Sequence, residues 1–224
     1  MTMQRDARAT GLVGVIPLNW LDRAKSRLAG VLTPTERASL ALSLAERTLD
    51  ALRGSGALER IAVVSPDPAA LAWAEAHSAF PLRQPATGLN AGLALARAWA
   101  TEQCATGLLI ALGDLPLLTS DETRRFVAMT RLYTRVVALA PDRAGDGTNL
   151  LLARPVSLAA LAYGRGSFAR HRRLAQRRGV STVEFRAPGA AFDVDTPDDL
   201  RELIARGLWL PAQAADRARN GETS

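Results

Sequence analysis

Short apolar runs and amphipathic stretches alternate along most of the chain. "GLVGVIPL" (11–18) has the length and bounding of a buried strand. "TPTERASLALSLAERTLDAL" (33–52) carries its apolar residues at helical spacing. Thr33 is placed as its N-cap, Pro34 as its first residue, Glu36 as the partner of a capping box, and Gly54 and Gly56 as its end. "RIAVVSPD" (60–67) reads as the next strand and "PAALAWAEAH" (68–77) as the next helix. A helix is expected from about Leu89 to Ala100, followed by a strand over Gly107–Leu112 that stops at Asp114. "SDETRRFVAMT" (120–130) predicts a helix with acidic residues in its first turn, and "RVVALAPD" (135–142) a further strand.

Beyond Asp142 the texture changes. "RAGDGTNLLLARP" (143–155) is a Gly-rich loop running into a short strand, and "AYGRGSFARHRRLAQRRG" (162–179) a Gly loop opening a basic helix. "STVEF" and "AAFDVDTPDDLRELIARG" predict another strand, an Asp pair, and a helix capped by Thr196 with Pro197 at its first position. Strands and helices in this order predict an α/β fold: one Rossmann-like domain with a mixed, mostly parallel sheet and helices on both faces. The domain is expected over 11–208, with loosely ordered ends at 1–10 and 209–224.

In sheets of this kind ligands bind outside the carboxyl ends of the strands. The chain concentrates its unusual residues there: Pro17 and the loop after it, Ser65-Pro66-Asp67, Gly113-Asp114 and Pro141-Asp142.

Composition narrows the ligand. The chain has 224 residues, enough for one sizeable core, with 48% hydrophobic and 22% charged residues. One cysteine, Cys104, excludes an internal disulfide and fits a reducing compartment. No apolar stretch approaches a membrane span or a signal peptide, so a cytoplasmic location is expected. The net charge of +6 would suit nucleic acid or an anionic small molecule. No aromatic residues interleave with the arginines to stack bases, so neither a nucleic-acid nor a membrane partner is expected.

Asp114 and the "DVDT" pair, Asp193 and Asp195, are candidates for holding a hard cation such as Mg²⁺, whose shell waters and phosphates would complete. Asp193 and Asp195 alternate across a strand and should point to opposite faces, so one of them joins Asp114. Asp195 is the expected partner. In "PLNWLDRAKSRLAG", Lys25 and Arg27 lie just past a strand end, where a triphosphate could be gripped, although no "GxxxxGK" loop is present. "DGTN" (146–149) and "YGRGS" (163–167) each offer backbone N–H groups beside a hydroxyl, Thr148 and Ser167, as anion sites. The helix start at Gly88-Leu89-Asn90 is expected to border a base or ribose. No Cys or His has a nucleophile's partner or zinc spacing, and His77 and His171 read as surface or core residues.

"IPLNWLDRAKSRLAGVLTPTERASLALSLAERTL", "GDLPLL", "PDRAGDGTNLLL", "YGRGSFARH" and "AFDVDTPDDL" occur in this order. Together they resemble the phosphoenolpyruvate/2-phospholactate guanylyltransferase family of coenzyme F420 biosynthesis, over roughly residues 11–206. The resemblance implies a nucleotidyltransferase fold, GTP as cosubstrate, Mg²⁺, and a three-carbon phosphorylated acid as acceptor: phosphoenolpyruvate, 2-phospholactate or 3-phosphoglycerate. By motif match, Thr148, Gly164 and Ser167 fall where the family contacts the acceptor and Asp114 where it binds metal. The next enzyme of that pathway is then a candidate partner for product hand-off. Many members carry a Lys two residues after the strand-ending Pro, where this chain has Asn19, which shifts the triphosphate's grip toward Lys25 and Arg27. At this level two alternatives stay open: a molybdopterin-type nucleotidyltransferase of the same fold, whose first loop is usually Gly-rich and Arg-containing, and a non-catalytic nucleotide-binding protein.

Overall fold

The protein is described by a computed structural model covering residues 11–85 and 88–210. The expected N-terminal segment 1–10, and the expected tail from 211 onward, lie outside the described residues. Trp209, placed at the start of that tail by its sequence, packs against a hydrophobic cluster.

Seven strands form one sheet: β1 (Leu12–Pro17), β2 (Arg60–Ser65), β3 (Phe80–Arg83), β4 (Gly107–Ala111), β5 (Val136–Pro141), β6 (Thr148–Arg154) and β7 (Ser181–Glu184). Their spatial order is β3-β2-β1-β4-β6-β5-β7. All neighbouring pairs are parallel except those of β6, which runs antiparallel to both β4 and β5. The helices are α1 (Pro34–Gly54), α2 (Pro68–Ala76), α3 (Leu89–Glu102), α4 (Ser120–Ala128), α5 (Ser167–Arg177), α6 (Pro188–Ala191) and α7 (Pro197–Ala205).

Handedness explains how these are layered. From β1 the chain steps outward through β2 to β3, and right-handed crossovers put α1 and α2 on one face. It then returns across β2 and β1 to β4, so α3 lies on the opposite face. Alternation along the strands follows: Leu12, Ile16, Leu109 and Ala111 pack with α1, α2 and α4, while Val13, Val15, Leu108 and Ile110 pack with α3 and α5. A third cluster joins Leu28 and Leu32 to Leu40 and Leu44 of α1, to Phe192 and Val194, and to Leu200 and Leu203 of α7. It fastens the loop after β1 to the segment before α7.

The capping box predicted at Thr33–Glu36 is present, and so is the one built on Thr196, whose partner is Asp199. Two elements differ from expectation. Strand β3 has no strong sequence signal, because an edge strand containing Pro81 and burying chiefly Leu82 shows no alternation. The stretch "AAFDV" is not a strand. Pro188 opens the single-turn helix α6, and residues 192–195 continue extended outside any ladder, with one bond from Val194 N to Asp114 O at 3.3 Å.

Helix α6 is wedged tightly against α4. Gly189 N donates to the buried Glu122 Oε1 at 3.0 Å, and a Cβ on Gly189 would overlap both that carboxylate and the Leu117 carbonyl. Gly189→Ala should therefore cost about 1–3 kcal/mol or more, because backbone on one side cannot yield. Gly30→Ala, which meets nothing within 4 Å, should stay within about 0.5 kcal/mol of the parent. Urea midpoints at unchanged m-value measure both.

Candidate active site

The crossovers leave β1 and β4 in opposite directions, so a crevice opens between their carboxyl ends. A cleft of about 400 Å³ lies there, lined among others by Pro17, Asn19, Lys25, Arg27, Gln84, Gly88, Leu89, Asp114 and Asp195. Two of the aspartates that the sequence places at this edge have structural work. Asp67 caps α2 through Ala69 N and accepts from Leu21 N at 2.8 Å, pinning the loop after β1. Asp142 accepts from Asp146 N and Gly147 N, closing the Gly-rich loop before β6. Asp114 has no such local task.

The loop after β1 makes two 3-10 turns, Leu21–Arg23 and Ser26–Leu28. Lys25 stands between them at φ 51°, in left-handed backbone that few L-residues adopt. The turns are anchored by buried Leu21 and Leu28 and by the Arg37 guanidinium, which donates to the carbonyls of Ala24 and Leu32. This geometry delivers the Lys25 ammonium to the floor of the cleft, 2.6 Å from Asp114 Oδ2 and 3.2 Å from Asp195 Oδ1. Burial works against the charge on Lys25, but Asp114 and Asp195 outweigh it and hold its pKa above the ordinary lysine value. Arg27 reaches the other oxygen of Asp195 at 3.1 Å from an exposed position.

Asp114 Oδ1 is buried and has no hydrogen-bond partner among the described residues. Asp193, two residues before Asp195 across the buried Val194, is close enough to feel the charges of both Asp114 and Asp195. Burial, then the charges of Asp114 and Asp195, push its pKa up to about 6, and its contact to Asn149 Nδ2 is long at 3.5 Å. The donor set is therefore all carboxylate oxygen, with one orphaned lone-pair face, and suits a hard divalent ion. Among the described residues no group of three or more His, Cys, Asp or Glu side chains is placed to hold a metal ion.

The other candidates gather at the start of β6 and α5. Because β6 is antiparallel, its first residues arrive at the edge where the parallel strands end, and Leu112 N bonds Asn149 O at 3.0 Å. Thr148 and Ser167 are almost fully buried and touch, Oγ to Oγ1, at 3.3 Å. Thr148 has a further partner, expected from the sequence to be only a surface or core residue: His171 is fully buried with Nδ1 3.0 Å from Thr148 Oγ1. Its position four residues after Ser167 places both on the inward face of α5, a signal legible in the sequence. Burial and nearby Arg170 lower the His171 pKa to about 4.

The two Gly loops also bond to each other, since Asp146 Oδ2 accepts from Gly166 N and Asp146 O from Phe168 N. Part of the expected anion site at the α5 N-terminus is thus filled by the chain itself. Gly164 has φ 118°, and the space beside its Cα is nearly open, so glycine is required there by backbone conformation rather than by crowding. Asn90 does not line the cleft. Its amide clamps both backbone groups of Tyr163, at 2.9 and 3.2 Å, so it fixes the loop before α5, while its neighbours Gly88 and Leu89 border the cleft.

Solved structures share this architecture. A nucleotidyl transferase from Methanothermobacter superposes with a TM-score of 0.64 at 15% identity, over 89% of this chain and 99% of that one. A 4-diphosphocytidyl-2C-methyl-D-erythritol synthase from Anaerococcus prevotii gives 0.58 at 11%, over 88% and 98%. The fold is that of the nucleotidyltransferases, and the chain is an enzyme of that class. More narrowly, it belongs to the guanylyl transferase CofC-like family, whose model matches residues 12–212. Relatives include a phosphoenolpyruvate guanylyltransferase from Sphaerobacter thermophilus, 47% identical over 85% of this chain and 91% of that protein. A 3-phospho-D-glycerate guanylyltransferase from Phenylobacterium zucineum is 39% identical over 82% and 85%. No helix among the described residues is long and apolar enough to cross a membrane.

The raised pKa of Asp193 has a consequence for stability. The folded state binds its proton more tightly than the unfolded chain, so the contribution is favourable below about pH 4 and is lost as pH rises through about 6. Asp193→Asn should accordingly be more stable than the parent at pH 7.5 by about 1–2 kcal/mol after solvent screening. The gap should close near pH 4, as measured by denaturant unfolding in chelator-containing buffer.

Proposed function

We propose that this chain transfers GMP from GTP to a three-carbon phosphorylated acid, phosphoenolpyruvate or a close analogue, and releases pyrophosphate, as a step of coenzyme F420 biosynthesis. The carrying observation is the Lys25 ammonium held between Asp114 and Asp195 beside the orphaned Asp114 Oδ1. The names borne by relatives support the two substrates, and family membership supports the transfer.

In this reading GTP lies in the cleft, its base side toward Gly88 and Leu89 and its phosphates toward Lys25 and Arg27. Asp114, with Asp195, would hold Mg²⁺, which supplies charge neutralisation at the phosphates when bound. An oxygen of the acceptor's phosphate attacks the α-phosphorus of GTP, the bond to the β-phosphate bridging oxygen breaks, and pyrophosphate leaves. Such a transfer needs positioning and charge more than a protein nucleophile, which fits a site without a Cys, Ser or His poised for attack. Thr148, Ser167 and the Gly164 loop receive the acceptor. With no lysine at position 19, Asn19 lines the cleft as a neutral side chain whose Oδ1 bonds Trp20 N, so the phosphates depend on Lys25 and Arg27.

Pyrophosphate release from GTP and Mg²⁺ is the test, with phosphoenolpyruvate, 2-phospholactate and 3-phosphoglycerate offered in turn. One of the three should support turnover, and ATP should not replace GTP. Silence with all three acids would overturn the assignment. Asp114→Asn should retain the fold by circular dichroism and lose roughly a hundredfold or more in kcat. Lys25→Ala should raise the KM for GTP about ten- to a hundredfold, the loss expected of one charge-assisted hydrogen bond, and leave the KM of the acid nearly unchanged.

A further inference from the structure

The buried cluster under the Gly loops fixes protons as well as atoms. Ala162 N lies 3.2 Å from His171 Nε2, and a backbone N–H can only donate, so Nε2 must accept. The chain that follows this N–H is pinned. The Ala162 carbonyl, in the next peptide, accepts from Arg170 Nε at 3.0 Å, and Tyr163 has its N–H and C=O clamped by Asn90. The Tyr163 ring packs edge-on against the imidazole at 4.8 Å. A doubly protonated ring would set donor against donor at Ala162. The imidazole is therefore neutral, with its one hydrogen on Nδ1, pointing at Thr148 Oγ1.

Ser167 Oγ lies 3.3 Å from the same Thr148 oxygen. The Nδ1–H bars the imidazole as an acceptor for the Thr148 hydrogen, and when Ser167 also donates to Oγ1 that hydrogen is left for a ligand. We infer that His171 is a positioning residue: by donating through Nδ1 it leaves the Thr148 hydroxyl a hydrogen-bond donor presented to an anionic group of the acceptor acid. This rests on the acceptor site proposed above. With the other tautomer the Thr148 hydroxyl would donate to an unprotonated Nδ1, and would have to give up that bond before donating to a carboxylate or phosphate oxygen.

The chain has two histidines, so a ¹⁵N-histidine spectrum of the wild-type protein resolves the tautomer directly. The proposal requires protonated Nδ1 and unprotonated Nε2 at His171 through pH 6–8, with the Nδ1–H resonance shifted by Thr148→Ala. An Nε2–H tautomer overturns it without any activity measurement. Kinetics then use two variants of opposite design. His171→Gln keeps an acceptor for Ala162 N–H and offers nothing at Nδ1. His171→Asn puts an amide N–H near Nδ1 and gives up Nε2.

With GTP saturating and phosphoenolpyruvate or 3-phosphoglycerate as acceptor, His171→Gln should raise the acceptor's KM about tenfold, as Thr148→Ala does. The KM for GTP should stay within about twofold, and His171→Asn should recover most of the loss. Adding His171→Gln to Thr148→Ala should change nothing further. Equal losses in the two histidine variants, additive losses in the double variant, or a parallel rise in the GTP KM would make His171 purely structural and overturn the inference while leaving the acceptor site in place. If Thr148→Ala itself spares the acceptor's KM, the acceptor site falls and the inference falls with it.

Discussion

One ammonium group ties the site together. Lys25, Asp114 and Asp195 belong to three segments separated by 89 and 170 residues, and their charges meet at the floor of the cleft. Without Lys25, two carboxylates would face each other at reduced dielectric, which is unfavourable unless a cation comes between them. The cluster of Leu28, Leu32, Phe192 and Val194 supplies the scaffold beneath, because it packs the first loop against the segment leading into α7. Packing thus decides which chain segments meet, and the ion pairs decide how their ends are oriented.

A second constraint is the direction of β6. In a wholly parallel sheet, a strand that brought Thr148 and Asn149 into the sheet would carry them to the opposite edge, away from Lys25 and Asp114. Running antiparallel between β4 and β5, β6 instead begins where the others finish. The turn that allows this is held by Asp142, whose carboxylate takes two successive N–H groups of the Gly-rich loop, and by Asp146, which bridges that loop to the start of α5. Glycines at positive φ in both loops, Gly145 and Gly164, admit backbone that a side chain would strain.

What the sequence shows of this arrangement is uneven, for physical reasons. Periodicity and capping chemistry are local, and the elements they govern, α1 and α7 with their caps and β1, β2 and β4 with their buried runs, were legible. So was Asp114, since a carboxylate that ends a buried run with no local bond to make stands out against capping aspartates. Strand β3 was not legible, because it pairs on one side only and contains Pro81. Helix α6 was hidden for a different reason: the apolar run before the Asp pair has the look of a strand, and the contact of Gly189 with Leu117 and Glu122 decides the matter. The ion pairs of Lys25 depend on a left-handed backbone at a non-glycine residue, which no local pattern announces. His171 was readable as an inward helix position, but its partners Thr148 and Ala162 come from elsewhere in the fold.

The two halves of the site differ in electrical character, and the proposed reaction gives that difference a sense. On the β1–β4 side the groups are charged: Lys25, Arg27, Asp114 and Asp195 surround the place assigned to a triphosphate. On the β6–α5 side the charged groups Asp146 and Arg170 are bonded to the loops' own backbone, and the groups assigned to the acceptor are two hydroxyls and glycine backbone beside an uncharged imidazole. A fixed cation bonded to the attacking phosphate oxygen would stabilise the ground state and draw electron density from the nucleophile, whereas interactions that strengthen only in the transition state accelerate the transfer. Neutral donors can orient the acceptor acid without quenching it. Positive charge is then concentrated where negative charge accumulates on the departing pyrophosphate.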